Sequence, residues 1–175
     1  MFASSLLLTL TLSGSGAPAP SCPALSGDPL EHVPASATTV VGLDVDALAK
    51  TAVGRALLPA LRADLQIAEA LEILDDCGLE LARTYAMIAA RDAGEGRMLV
   101  VQGRGLGERS TLTCLEAELQ ARSEGASPWT REAGTCGERL ALRDGSRAWV
   151  VNDYTLVWAR AGLADRVAEQ LEGRA

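Results

Sequence analysis

The sequence predicts an α+β fold, a mainly antiparallel sheet with helices on one face. The predicted elements follow in the order β-α-α-β-β-α and then β-β-β-α. Consecutive strands are joined by short polar segments, which is typical of antiparallel pairing. The first six elements and one further strand match the split β-α-β pattern of ferredoxin-like folds. A β-meander and a C-terminal helix extend that pattern.

The composition fits one globular domain and argues against two classes of partner. The chain has 175 residues, of which 48% are hydrophobic, and its 16 basic and 23 acidic side chains give a net charge of −7. Lys50 is the only lysine, and the arginines are scattered from Arg55 to Arg174 without a stretch that gathers them into a basic face. Because such a protein is repelled by phosphate, we expect neither nucleic acid nor an anionic membrane as partner.

The amino-terminal segment has the pattern of an export signal. No charged side chain occurs in the first 27 residues, and the apolar stretch Leu6 to Leu12 is followed by small residues. We predict a signal peptide over residues 1–16, and export to the periplasm or the extracellular space. The alternative is a disordered apolar tail. The apolar stretch is too short to cross a bilayer, so we expect no transmembrane span after the leader is removed.

Prolines mark the segment that follows the leader. Five of the seven fall between Pro18 and Pro34, which excludes a regular helix or a central strand. We therefore predict an extended arm over residues 17–37, carrying Cys22 and His32 as its special residues. Residues 38–175 then form a single α+β domain.

The domain opens with a strand and two helical pieces. The β-branched run Thr38 to Val45 predicts the strand, and Asp46 stands where a helix N-cap would follow. An amphipathic stripe then runs to Gly78, but Pro59 lies inside it and should split the helix. The second piece is expected from Ala60 to Cys77. The stripe consists of Leu57, Leu61, Leu65, Ala68, Leu71 and Leu74.

A strand hairpin and a helix come next. Thr84–Arg91 and Arg97–Arg104 are strand-like runs joined by a polar connector that contains glycine, so they should pair antiparallel. Ser110 can cap a helix that stops near Gly125. The apolar positions are Leu112, Leu115 and Leu119 in this helix and Leu163, Val167 and Leu171 in a closing helix.

Two turns set the predicted register of the meander. Asp144-Gly145 and Asn152-Asp153 are two-residue hairpin signals. Counting outward from them, we expect the larger apolar side chains to share the core face; the alternative is an exposed aromatic cluster that binds a glycan or a protein. Trp129, in the preceding loop, is expected to be exposed. The predicted face holds Leu140, Leu142, Trp149, Val151, Tyr154, Leu156 and Trp158.

The start of the ordered part carries a family resemblance. The run VPASATTVVGLDV from Val33 to Val45, with helices that close on Cys77-Gly78 and a strand hairpin after them, resembles uncharacterised secreted α/β proteins of high-GC bacteria. The resemblance covers most of residues 33–173. It implies no assigned activity, and it implies that longer relatives carry a second similar unit.

The four cysteines indicate disulfides. They include no C-x-x-C pair, and the chain has one histidine, so a zinc site is not expected. Three pairings are possible in an exported protein. The proposed topology brings the end of the first helical region close to the start of the second, which favours Cys77 with Cys114 and leaves Cys22 with Cys136. The alternative is four free thiols in a cytoplasmic protein.

Asp44 and Asp46 form a D-x-D at the end of a strand, where carboxylates can bind a metal ion or act in hydrolysis. The pair resembles the first motif of haloacid-dehalogenase-like phosphatases. Ala47 and Leu48 stand where that family has glycine and threonine, and Lys50 is too near in sequence to be its distant lysine. We therefore assign no phosphatase activity to the pair, and we favour the interpretation that Asp46 caps the helix while Asp44 faces solvent.

Three glycines lie where a phosphate-binding loop would lie. Gly103, Gly105 and Gly107 follow a strand and precede a helix, but a dinucleotide fingerprint needs its third glycine at Glu108. A carboxylate there would repel phosphate, so we interpret the segment as a flexible turn.

We assign no catalytic, cofactor-binding or metal-binding residue from the sequence. The function predicted is an exported, disulfide-stabilised, non-enzymatic binding or structural module, with an unknown protein or polymer partner. The alternative is a carboxylate-based hydrolase, metal-assisted through Asp44 and Asp46.

Overall fold

The fold was examined in a computed structural model that describes residues 27–80, 84–134 and 137–171. In those ranges the chain forms seven strands, five α-helices and one short 3-10 helix. In order, they are the 3-10 helix, Pro29–His32; β1, Thr39–Asp44; α1, Val45–Lys50; α2, Ala52–Ala63; α3, Leu65–Asp76; β2, Thr84–Arg91; β3, Arg97–Gly103; α4, Arg109–Arg122; β4, Trp129–Gly134; β5, Gly137–Leu142; β6, Arg147–Asn152; β7, Thr155–Arg160; and α5, Gly162–Leu171.

The seven strands form one antiparallel sheet in the order β1-β2-β3-β7-β6-β5-β4. The predicted α+β class is therefore confirmed, as is the β2–β3 hairpin. The parallel pairing that a split β-α-β unit needs does not occur among the described strands, so the ferredoxin-like part of the prediction is not confirmed. Strand β4, which the sequence did not predict, begins at Trp129 and is an edge of the sheet.

One face of the sheet, called the first face below, carries the main core. Apolar side chains of the central strands pack there against α5 and the 3-10 helix. Burying such side chains contributes about 1.5 to 3 kcal/mol each, which makes this contact the main source of stability. The fully buried members include Met98, Val100, Val157, Leu163 and Val167.

Helices cover both faces of the sheet, which corrects the prediction that they lie on one. On the opposite side, called the second face, Arg131 of β4 forms an ion pair with Glu116 of α4, with 3.0 Å between nitrogen and oxygen. Helix α3 is joined to α4 by the disulfide between Cys77 and Cys114. The physical reason is that both faces of a seven-stranded sheet carry apolar side chains, and each needs cover from water.

Two predicted helix starts and one break lie elsewhere in the structure. Pro59 lies within α2, and the helical run breaks at Asp64 instead. Asp44, not Asp46, is the N-cap of α1. Helix α4 begins at Arg109, so Ser110 lies inside its first turn.

The first meander turn is one residue longer than predicted. Leu142 donates its N–H to the carbonyl of Ser146 at 2.9 Å, which leaves three residues in the loop, and Gly145 has φ +80°. Leu140 therefore pairs with Ala148 instead of Trp149. Because side chains alternate along a strand, this one-residue slip reverses the faces of β6 relative to β5.

The second turn also differs from its prediction. Asn152 pairs with Thr155, and the register shifts between Val150 and Asn152, so Ala148 pairs with Trp158. Trp149 is consequently on the first face, 4% exposed, whereas Trp158 is on the second. The predicted aromatic face was wrong, and Tyr154, which lies in the turn, is exposed.

The part of the proline-rich arm that the structure describes is packed on the domain. Residues Pro29–His32 form a 3-10 helix capped by Asp28, and His32 is 3% exposed beneath it. The backbone carbonyl of Glu31 accepts a hydrogen bond from Gln170 of α5. His32 is thus part of the packed structure, and not a bystander on an extended arm.

Acid should destabilise the protein through His32. Burial lowers the pKa of this imidazole, and the nearby carboxylates of Glu31 and Asp28 offset the effect in part. The imidazole is therefore protonated at a higher pH in the unfolded state than in the folded state. The free energy of unfolding falls as the pH drops from about 7 toward 5. The loss is about 1.4 kcal/mol for each unit by which folding lowers the pKa.

The measurement is thermal unfolding across that range for the wild type and for His32→Gln. The wild type should lose stability on acidification while the variant's profile stays flatter. Parallel profiles would contradict the assignment to His32.

No helix in the described ranges is long and apolar enough to span a bilayer.

Candidate functional site

A slot opens on the second face, over strands β1, β2, β3 and β7. Its volume is about 340 Å³, and its floor and walls are the side chains of Val41, Ala89, Leu99 and Trp158. These four lie on neighbouring strands in register, because Val41 pairs with Ala89, Ala89 with Leu99, and Leu99 with Trp158. We call this cavity the Trp158 slot. A volume of this size suits a small ligand.

The indole of Trp158 is held in place by a chain of hydrogen bonds. Its Nε1–H donates to Ser146 Oγ at 2.9 Å, and that hydroxyl donates to Asp144 Oδ1 at 2.5 Å. Ser146 is 1% exposed, so the arrangement is shielded from water. Hydrogen bonds from Ser146 also lower the pKa of Asp144, which keeps the acceptor ionised. The aromatic wall of the slot is therefore preorganised.

The mouth of the slot is cationic. Arg91 of β2 pairs with Arg97 of β3, and Arg97 pairs with Arg160 of β7, so three arginines occupy neighbouring positions at one end of the sheet. Arg91 and Arg97 line the slot. Arg91 and Arg97 flank the connector of the β2–β3 hairpin, whereas Arg160 lies beside them only because β3 pairs with the distant β7, which no local pattern indicates. Like charges directly opposite on a sheet are destabilising.

The charge of this row is only partly balanced. Arg160 interacts electrostatically with Asp144. Among the residues that the structure describes, no carboxylate forms an ion pair with Arg91 or Arg97. Asp92, the nearest carboxylate in sequence, accepts hydrogen bonds from backbone amides of its own turn.

The slot is bounded on one side by an edge strand that solvent reaches from both faces. All six residues of β1 are exposed, and Val41, whose side chain lines the slot, is 60% exposed. On the other side a second cavity of about 260 Å³ shares Leu99 with the slot and reaches Leu74 and Leu79 beside α3. The apolar surface is thus continuous along the second face.

The predicted disulfide between Cys77 and Cys114 is present, with 5.6 Å between the two Cα atoms. It joins the end of α3 to the second turn of α4, as the topology argument expected. Cys22 and Cys136 lie outside the described residues, and their pairing stays a prediction.

The candidate hydrolytic carboxylates serve separate local roles. Asp44 Oδ1 accepts a hydrogen bond from the backbone N–H of Ala47 at 2.8 Å, which caps α1. Asp46 forms an ion pair with Lys50 one turn along that helix. The prediction that Asp46 caps the helix and Asp44 faces solvent was therefore wrong, because Asp44 is the cap. Neither interaction aims the two carboxylates at a common point.

The glycine-rich segment is a packed turn and not a flexible one. The backbone N–H of Gly107 donates to the carbonyl of Asp153 at 3.0 Å. A Cβ at Gly107 would lie 2.0 Å from the carbonyl oxygen of Asn152, so glycine is required for the close approach.

One carboxylate pair that the sequence did not nominate is brought together by an arginine. Arg131 binds Glu116 of α4 and Glu138 of β5, at 3.0 and 3.1 Å. The hydrogen bond from Arg131 lowers the pKa of Glu116. The cluster fastens α4 to the sheet and keeps Glu116 ionised, so Glu116 is not poised as a general acid at neutral pH.

Within the described ranges, no group of three histidine, cysteine or acidic side chains is placed to hold a metal ion. Comparison of the chain with protein-family models, curated proteins and solved structures found no match.

Proposed function

We propose that this chain is an exported, non-enzymatic binding module, stabilised by its disulfide, and that the Trp158 slot is its binding surface. The observation that carries the proposal is the slot itself. It is apolar, open to solvent and walled by Trp158, whose orientation is fixed by the buried hydroxyl of Ser146.

The physical argument is that exposed apolar surface costs free energy. Burying apolar surface contributes about 25 cal/mol for each Å² removed from water. The apolar surface of the slot and of the adjoining edge strand is exposed, so a ligand that covers it gains this free energy. Contiguous apolar patches on soluble proteins are often ligand or partner sites. A ligand that fills the slot recovers that energy.

Export is supported by two independent features. The uncharged apolar leader has the pattern of a signal peptide, and the Cys77–Cys114 disulfide is of the kind that persists in oxidising compartments. We propose the periplasm or the extracellular space as the place of action.

Binding of the neutral fluorophore N-phenyl-1-naphthylamine tests the proposal. We expect a saturable rise in fluorescence with wild-type protein, because the dye enters an apolar site. Ala89→Trp fills the floor of the slot and should reduce the affinity about tenfold or more. Ala121→Trp, on the exposed surface of α4, is the matched control and should bind as the wild type does.

Absence of saturable binding to the wild type would overturn the proposal. So would equal loss of binding in the two tryptophan variants, because that result would place the dye outside the slot.

A further inference from the structure

We infer that the Trp158 slot takes a small amphipathic carboxylate, with one carboxylate head on an apolar chain of about eight to ten carbons. The inference rests on the proposed function, since it names the ligand class of the same slot. The head lies between Arg91 and Arg97, and the chain runs along Trp158 toward Leu99.

The charge of the mouth selects an anion. Arg91 and Arg97 stand opposite each other on neighbouring strands with no ion pair to either among the described residues, although the protein as a whole carries a net charge of −7. Like charges directly opposite each other lower the stability of a sheet. Arrangements that cost stability in this way are expected at functional sites. A carboxylate between them relieves the repulsion and accepts forked hydrogen bonds from guanidinium.

The lining of the slot selects an apolar body. The side chains of the second face that bound it are, apart from Thr39 at the edge and the two arginines, aliphatic or aromatic: Val41, Ala89, Leu99 and Trp158. A sugar phosphate would leave its hydroxyl groups without partners there, and each unpartnered polar group costs about 1 to 3 kcal/mol. The second cavity beyond Leu99 gives a longer chain room to extend.

The geometry favours a small molecule over a lipid bilayer. The slot is about 340 Å³, the volume of a small-ligand site, and its cationic groups are confined to one end of the sheet. Helix α3, which reaches the adjoining cavity through Leu74, bears Glu69, Glu72, Asp75 and Asp76, so this side of the molecule is not uniformly cationic.

Isothermal titration calorimetry with decanoate, below the concentration at which it forms micelles, tests the inference. Decanol, with the same chain and no charge, is the comparison ligand, and acetate supplies the head alone. We expect decanoate to bind about tenfold or more tightly than decanol, and acetate to give no measurable heat. Raising the salt concentration should weaken decanoate binding alone, because the arginine charges are exposed to solvent.

Variants then locate the charge effect. Arg91→Gln with Arg97→Gln should reduce the decanoate affinity to that of decanol. Arg109→Gln with Arg166→Gln removes the same charge from exposed positions outside the slot and should keep the full preference. Thermal unfolding of each double variant establishes that it is folded before it is titrated.

Three results would overturn the inference. The first is equal affinity of the wild type for decanoate and decanol, and the second is a preference for decanoate that persists without Arg91 and Arg97. The third is binding to phosphatidylglycerol vesicles, dependent on the two arginines, with none to decanoate, which would assign the mouth to a membrane. In each case, saturable binding of the neutral fluorophore would still support the proposed function. If the fluorophore did not bind, both the proposed function and the inference about its ligand would be wrong.

Discussion

Cys77→Ser together with Cys114→Ser is expected to lower the free energy of unfolding by about 3 to 4 kcal/mol. The bridge links positions 37 residues apart, and its loss frees the unfolded chain from the loop that it closes. The loss should also loosen the contact between α3 and α4, because the ion pairs from Arg122 to Glu72 and Asp76, at 3.9 and 4.0 Å, are weak.

Denaturant unfolding in oxidising and reducing buffer measures the effect. The double variant should be less stable than the wild type without reductant, and the two should become equal when all disulfides are reduced. Equal stability in oxidising buffer would show that the bridge does not contribute as we expect.

Leu163→Ala is expected to cost about 2 to 5 kcal/mol, the range for removing a buried leucine side chain and leaving a cavity. Leu163 begins the apolar stripe of α5, is 0% exposed and lies within the core of the first face. A Cβ placed on Gly96 would lie only 2.9 Å from the Leu163 side chain, so the packing around it is tight.

Leu30→Ala is the matched control, because that leucine is 55% exposed. It should change the free energy of unfolding by less than about 1 kcal/mol. Denaturant unfolding measures the free energy of unfolding of both variants. An unchanged m-value would show that Leu163→Ala alters stability and not the surface exposed on unfolding. Similar losses in the two variants would mean that the α5 contact is not the principal core.

Local patterns predicted the elements whose residues carry their own signals. The hairpin of β2 and β3 has strand-like runs on either side of a polar connector that contains glycine, and it forms as predicted. The stripe of Leu163, Val167 and Leu171 predicted α5, and all three side chains are buried. In each case the period of the apolar residues is preserved over enough positions to fix one structure.

Helix starts were less predictable because several polar residues compete for the same position. Both Asp44 and Asp46 can cap a helix, and only the structure shows Asp44 bonded to the amide of Ala47. Ser110 has the side chain of a good cap, but Gly107 is held against the turn at Asn152, and α4 starts before the serine is reached.

The meander was predicted as a set of strands but with the wrong faces. The pair Asp144-Gly145 fits a two-residue turn, yet Ser146 joins the ladder and Asp144 accepts its hydroxyl hydrogen bond. The register shift at the second turn, between Val150 and Asn152, placed Trp149 and Trp158 on opposite faces. The reason is the two-residue period of a strand, which turns a small error of register into a complete exchange of faces.

By itself, the sequence determined the α+β class, most of the elements and the Cys77–Cys114 pairing, since these follow from local periodicity, turn chemistry and helix order. Only the tertiary structure decided where the slot lies and what surrounds it. Trp158 and Arg160 lie beside the arginine pair of the β2–β3 hairpin because β3 also pairs with β7, and that pairing joins strands far apart in the chain. No local pattern indicates the pairing of β3 with β7, so the sequence did not predict that these arginines would lie beside a tryptophan.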